Sequence, residues 1–377
     1  RKRIIRHADG NADAVAQQVV HDLLAEGLFG EWKSKPHQAI RPKRKLEDKG
    51  QTNAVWVVAE LIEGEIRPVS LELLGRAIQL ADKIDSTVAA ILIGQGLDRH
   101  AKTLAAYGAD RVYVADSPAL AAYQTEPYTA ILADAIRQHD PYAVLIPSTA
   151  NGRDLAPRVA ARLQVGLTGD CIGLEIDEQG RLVQLKPAFG GNIVAPILSK
   201  TRPAVATVRP GMLQQAEPDF SRVAATNKFS TDAMRASRTR VIGTERNTTA
   251  GVALESAQVI IGVGMGLGGP EHLPALQELA AVLGAPIGAT RRVVDAGWLP
   301  RQAQIGLTGR SISPRLYIAL GISGKFNHMV GVQRAGLVLA INNNPDAEIF
   351  KHADYGIVGD WAHLAPALTH ALKTARK

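Results

Sequence analysis

The 377-residue chain contains a single cysteine, Cys171. It therefore has no disulfide framework and cannot ligate an iron–sulfur cluster through thiolates. No apolar stretch approaches the ~20 residues that a membrane-spanning helix requires. Its 10 histidines show neither HxH nor HxxxH spacing, which argues against a metal site built on one helix or strand. No G-x-S-x-G elbow and no GxxxxGKS/T loop occurs, so serine-hydrolase and P-loop chemistry have no support. What is present is an ordinary globular composition, 46% hydrophobic and 21% charged, long enough for about two domains.

Positive charge is unevenly spread. The net charge is +7, and residues 1–50 carry 11 Lys/Arg against 7 Asp/Glu, or +4. The run KSKPHQAIRPKRKLEDKG is polar and proline-bearing and reads as a solvated tether. No aromatic residues interleave with its basic ones, so nucleic acid is not an expected partner. The preceding DAVAQQVVHDLLAEGLF has helical periodicity and is suited to dock on a partner. Asp9, Asp13 and Asp22 argue against a mitochondrial transit peptide, and no signal-peptide pattern is visible.

From Ala54 onward strands and helices alternate. AVWVVAE, TVAAILIG, DRVYVAD and YAVLIPST read as strands, with VSLELLGRAIQLADKI, LDRHAKTLAAYGA and EPYTAILADAIRQH as the helices between them. Such alternation predicts βαβ units and a mainly parallel sheet. A helix over GRDLAPRVAARL then leads into strand-like, Gly/Pro-punctuated sequence ending near Met212. Residues 213–250 lack sustained periodicity and read as a linker, after which AQVIIGVGMGLGG opens a second α/β run. The expectation is an α/β protein of two doubly wound, mainly parallel-sheet domains. Its parts are an extension at 1–51, a domain at 52–212, a linker at 213–250 and a Rossmann-like domain at 251–377.

The second domain holds the chemistry. Gly264-x-Gly266-x-x-Gly269 follows a strand and precedes a helix, as in a dinucleotide fingerprint. A nicotinamide site would want Asp or Glu after the next strand; PIGAT instead runs into Thr290, Arg291 and Arg292. A dehydrogenase using NAD(P) at Gly264–Gly269 is therefore the alternative rather than the main reading. If the sheet is parallel, Gly264, Arg291, Ser323, Asn342 and Asp360 all fall just after strands. They then collect on one carboxyl edge, where a nucleotide binds.

With these residues assembled, the chain resembles the α subunit of electron transfer flavoproteins. STANGRDLAPRVAARL with GLTGDC is similar to a hallmark of that family's first domain. GATRRVVDAGW, QIGLTGR, LYIALGISGKFNHMVG, AINNNPDAEIF and ADYGIVGD follow its FAD-domain motifs in order. The resemblance implies that Arg291 lies over the isoalloxazine ring, with Thr290 near the phosphates. It implies that the Thr308 hydroxyl bonds the flavin near N5, with Gln304, Ile305, Gly306, Leu307 and Gly309 shaping that turn. Ser323 and Gly324 match the pyrophosphate turn; Lys325, Phe326 and Asn327 lead to His328, beside the flavin C2 carbonyl. Asn342 and Asp360, with Trp361 next to it, match the adenosine end. Met265 stands where the family usually has arginine, Leu307 where it has glutamine, and Phe326-Asn327 where it has Ile-Gln.

The implied activity is that of an FAD-carrying electron shuttle rather than an enzyme with its own organic substrate. A smaller β subunit completes the flavin cleft and holds AMP or a second FAD. Electrons arrive from a flavin-dependent dehydrogenase, in fatty acid or amine oxidation, and leave to a membrane quinone oxidoreductase. The chain itself is not membrane-embedded. The implied location is the cytoplasm of a bacterium, or the mitochondrial matrix in a eukaryote.

Overall fold

The computed structural model describes residues 3–30, 40–42, 53–62, 64–188, 193–231, 237–243, 254 and 257–376. The chain divides into two compact units, Gln38–Glu245 and a second composed of Arg1–His37 with Arg246–Lys377. The first elements, β1 (Ile4–His7) and α1 (Ala12–Ala25), thus belong with the C-terminal part of the chain rather than to a separate extension. Most of the basic run at 33–50 lies outside the described residues.

The unit Gln38–Glu245 carries a seven-stranded parallel sheet. Its elements are β2 (Val55–Ala59), α2 (Pro68–Lys83), β3 (Val88–Gly94), β4 (Arg111–Asp116), α3 (Thr125–His139), β5 (Ala143–Pro147), α4 (Ala150–Leu163), β6 (Leu167–Cys171), β7 (Ala204–Val208) and β8 (Ala225–Lys228). The strand order is β8-β4-β3-β2-β5-β7-β6. Every residue of β2, β3 and β5 is buried, which is why these strands read as continuous apolar runs rather than alternating ones. A separate antiparallel sheet pairs Leu182–Ala188 with Gly173–Ile176 and Ile193–Leu198.

Part of the expected linker differs from expectation. Ala225–Lys228 pairs in parallel with β4, and Phe229 stacks on Tyr113 with ring centroids 4.7 Å apart. Arg222 Nη2 meets Asp110 Oδ1 at 2.8 Å. The stretch ATNK has no apolar alternation because its side chains are mostly exposed. Ladder hydrogen bonds and the Phe229 anchor hold it instead of a buried face.

The second unit is doubly wound as well, and here the fold class matches the expected α/β architecture throughout. It contains β9 (Val259–Val263), α5 (Leu273–Leu283), β10 (Ile287–Ala289), β11 (Leu316–Leu320), β12 (Leu337–Asn342), β13 (Tyr355–Val358) and α6 (Trp361–Ala375). The six parallel strands lie in the order β1-β13-β12-β11-β9-β10. The N-terminal strand completes this sheet: Ile4 lies opposite Tyr355 and His7 opposite Val358. Helix α1 starts at an Asn11 cap whose side chain accepts from Ala14 N at 3.1 Å. Its apolar stripe, Ala16, Val19, Val20 and Leu23, enters one core with Leu364, Leu368 and Leu372 of α6. That stripe explains the helical periodicity; the surface it docks on is this chain's own.

Candidate functional site

Register places the site. Val263 at the end of β9 lies opposite Leu320 of β11 and Ala289 of β10. Leu320 lies opposite Ile341, and Asn342 opposite Val358. The chain steps from β9 to β10 on one side and to β11 on the other, so the switch point of the sheet falls between β9 and β11. Ligands of open α/β sheets bind in the crevice there.

At that point bare backbone meets bare backbone. Gly264 N donates to Leu320 O at 2.9 Å and Gly266 N to Gly321 O at 3.0 Å. A Cβ on Gly266 would come within 2.8 Å of Gly321 Cα, and one on Gly264 within 2.7 Å of Ile322 Cα. Gly321 and Gly324 have φ of 60° and 84°, a region that favours glycine. Ser323 O accepts from Ile349 N at 3.1 Å, which leaves the Ser323 side chain exposed at the rim beside exposed Lys325. Lys325 pairs with Glu348 at 3.2 Å. Met265, half-buried, joins the core beneath and brings no cation to this turn.

The second cluster lies beyond β10. Ile305 N donates to Ala289 O at 2.8 Å, and Leu307 N to Asn327 O at 2.6 Å. The turn Gln304–Gly309 is thereby held between the end of β10 and the short helix Phe326–Met329. Gln304 is buried, and its Nε2 donates to Thr308 Oγ1 at 2.8 Å. Since that amide uses the hydroxyl as acceptor, the Thr308 O–H proton is left to point outward. Gln304 Oε1 is buried without a hydrogen-bond partner. Gly306, with φ of 131°, permits the turn to approach Asn327. Thr290 N is fixed by Val263 O at 3.0 Å. Arg291, itself exposed, opens a five-residue helix anchored by buried Val293, with its Nε 3.2 Å from Asp295.

The third group closes the edge. Asn342 Nδ2 donates to Ile322 O at 3.0 Å, and its Oδ1 accepts from Asn344 N at 2.9 Å. Gly359 N donates to Asn342 O at 3.0 Å, which brings Asp360 alongside. Asp360 caps α6 by accepting from Ala362 N at 2.9 Å. Trp361 contacts His272 edge-on at 5.5 Å.

His328 is engaged by the protein on both ring nitrogens. It is buried, its Nδ1 lies 3.2 Å from Ile305 O, and its Nε2 lies 2.8 Å from the Tyr317 hydroxyl. A carbonyl only accepts, so Nδ1 carries the proton. Burial pulls the imidazole down to about 4, so near neutrality it holds one proton, and Nε2 accepts from the Tyr317 O–H. No N–H of this ring is left for a flavin carbonyl in this geometry. The Ile305 carbonyl fixes the tautomer, and Tyr317, unmarked in the sequence except as an aromatic in an aliphatic buried strand, supplies the donor to Nε2.

That arrangement has a pH signature. The unfolded chain takes up a proton near the ordinary 6.5, whereas the fold resists protonation until about 4. Stability is therefore full above the unfolded value and falls as pH drops through this window. We expect a loss of about 2 kcal/mol between pH 7 and pH 5 from this residue. Urea unfolding of His328→Gln at both pH values should show that share of the slope removed.

The other hallmark folds into a polar knot in the unit Gln38–Glu245. Ser148 Oγ donates to Asp170 Oδ1, Arg153 Nη2 lies 3.0 Å from Asp170 and Arg209 Nη2 3.3 Å from it. Asp170 adopts φ of 60°, and its N–H donates to Thr207 Oγ1 at 2.9 Å. These bonds tie the β5–α4 turn to β6 and β7.

The donor set suits a dinucleotide with an acidic middle and a polar ring. Glycine backbone at the switch point admits close approach, Lys325 and Ser323 sit at the rim, and Arg291 and Thr308 sit at the far end. Comparison with known proteins agrees. Residues 55–234 match the family model described as the electron transfer flavoprotein domain. Residues 253–333 match the electron transfer flavoprotein FAD-binding domain. An electron transfer flavoprotein subunit alpha of Thermoanaerobacterium thermosaccharolyticum is 44% identical, over 85% of this chain and 97% of its own length. The subunit alpha of Megasphaera elsdenii is 40% identical, over 86% of this chain and 98% of its own. A protein of Acetobacterium woodii named lactate dehydrogenase (NAD(+),ferredoxin) subunit LctC is 39% identical, over 85% and 77%.

Proposed function

The chain belongs to the electron transfer flavoprotein family as an α subunit, and on that premise we propose that it holds FAD along the carboxyl edge of β9–β13. A β subunit completes the cleft and holds AMP or a second FAD. Electrons arrive from a flavin-dependent dehydrogenase and leave to a membrane quinone oxidoreductase, in the cytoplasm of a bacterium. The observation that carries the reading is the in-register convergence of Gly264, Thr290, Ser323, Asn342 and Asp360 on one edge of one parallel sheet. Among the described residues no helix is long and apolar enough to cross a membrane, so exchange with a membrane acceptor would occur by docking.

FAD supplies the redox chemistry, and its reduction places negative charge on the ring. The chain supplies position and field. The turns at Gly264–Gly266 and Gly321–Gly324 bring backbone to the pyrophosphate, with Lys325 as the nearby cation. Gln304 orients the Thr308 hydroxyl as a donor toward the ring, and Arg291 places a positive charge beside it. His328 serves from behind the turn, holding Ile305 in place rather than charging the ring.

Arg291→Ala and Thr308→Ala, each made in the full chain with its partner subunit, test these roles. Arg291 is 65% exposed, so solvent limits its effect to about 1 kcal/mol. The first reduction potential should fall by roughly 30–60 mV for either variant, the one-electron equivalent of that energy. Potentials unchanged at normal FAD content would remove both residues from the ring's surroundings.

A second reading has specific support. A relative 37% identical is named acryloyl-CoA reductase electron transfer subunit beta, and another is named as a lactate dehydrogenase subunit. Under this reading the chain stays bound in one dehydrogenase complex instead of shuttling between partners. Size-exclusion chromatography of the native assembly separates the two: a stable dehydrogenase in the peak favours the complex.

A further inference from the structure

The unit Gln38–Glu245 has a cavity of about 230 Å³ that none of the FAD-domain motifs lines, although Asn151, Gly152 and Leu155 of the first-domain hallmark do. It opens at the carboxyl ends of β2, β3 and β5, bounded by Val58, Ile93 and Ile146. Strands β3 and β4 lie on one side of β2 and β5 on the other, so this is the switch point of the seven-stranded sheet. Crevices there are where open α/β sheets take ligands.

The lining is selective. Tyr123 and Tyr128 form one wall, edge to face with centroids 5.0 Å apart. Their hydroxyls are turned to the protein, Tyr123 to Asp154 Oδ2 at 2.8 Å and Tyr128 to Leu120 O at 3.1 Å. The wall therefore offers ring surface, as a flat aromatic guest requires. Gln95 and Asn151 also line the cavity. Two side-chain amides present donor and acceptor together, the pattern that matches the edge of a nucleobase.

Charge decides what such a base carries. The start of α4 is the place where a phosphate would be drawn. Glu60 already puts a carboxylate there: its Oε2 accepts from Thr149 Oγ1 at 2.5 Å and its Oε1 from Asn151 Nδ2 at 3.3 Å. Thr149 is the N-cap of that helix, accepting from Gly152 N at 3.1 Å. Arg67 Nε, 3.4 Å from Glu60 Oε1, is already committed to that carboxylate, so a second anion in this partly buried site would exceed the positive charge beside it. From the ring wall, the amide pair and the resident carboxylate, we propose that this cavity binds an uncharged nucleoside and disfavours its phosphorylated form.

Isothermal titration of the full chain with adenosine and with AMP tests this, in the presence of excess FAD to saturate any flavin site. Adenosine should bind saturably at one site per chain, with AMP at least tenfold weaker. Leu155→Trp, which fills the cavity, should abolish adenosine binding. Gln95→Ala is exposed at the mouth, cannot disturb the core, and should weaken adenosine about tenfold. Glu60→Gln should narrow the gap between adenosine and AMP. No saturable adenosine binding, AMP binding as tight as adenosine, or adenosine binding unaltered in Gln95→Ala would each overturn the proposal.

Discussion

Valine in place of Gly324 is expected to abolish FAD retention and to lower the unfolding temperature of its unit by roughly 10 °C. Gly324 sits at φ of 84°, where a β-branched residue is strained by about 1–3 kcal/mol. A Cβ would also overlap the backbone of Ile349 and lie within 2.6 Å of Glu348 C. Those atoms are main chain, fixed by the bond from Ile349 N to Ser323 O, so no side chain can swing aside. The turn would have to open, moving Ser323 and Lys325 away from the switch point. Gly284→Ala is the matched control. Gly284 has φ of 61°, yet nothing lies within 4 Å of its added Cβ, so only the backbone strain of about 1 kcal/mol applies. Differential scanning fluorimetry and flavin content of both variants separate strain from overlap. Equal, small losses in the two would show that the Gly324 turn yields easily.

The difference between these two glycines was not legible in the chain's letters. Both stand after a periodic segment, and only the three-dimensional neighbour distinguishes them. The strands of both sheets were legible because burial on two faces leaves unbroken apolar runs such as VAAILIG and LVLAI. Polar strand ends were legible for the same reason: a run stops where solvent begins, so Asn342 and Asp360 announced an edge. Ala225–Lys228 was not, since an exposed edge strand needs no apolar pattern. Nor was the state of His328. Its proton is placed by a carbonyl of one distant segment and its other nitrogen is met by Tyr317 of another, and no local pattern encodes either. The site was thus readable as a location, whereas the part each side chain plays depended on contacts between distant segments.

The same limit applies to residues 1–30, whose removal should have the largest effect on stability of any change considered. Val19, Val20 and Leu23 are each at most 3% exposed, and Ala16 is fully buried. Their partners on α6, Leu364, Leu368 and Leu372, are buried as well. Losing three large apolar contacts costs about 1.5 kcal/mol or more apiece, before the facing surface of α6 is counted. The sum, on the order of 5 kcal/mol, rivals the whole stability of a typical domain. Deletion would also strip β1 from β13, leaving a row of unpaired backbone groups on Tyr355–Val358 that invites aggregation. The Arg6–Asp22 pair, 2.7 Å apart, lies wholly within the deleted segment, so its loss strands no charge on the remaining chain. A chain beginning at residue 31 should therefore be recovered mostly in the insoluble fraction. The substitution Leu23→Asp reaches the same interface without exposing the strand edge, by placing a carboxylate in the core. If chemical denaturation shows that Leu23→Asp unfolds at the same midpoint as the parent chain, α1 is not part of this core.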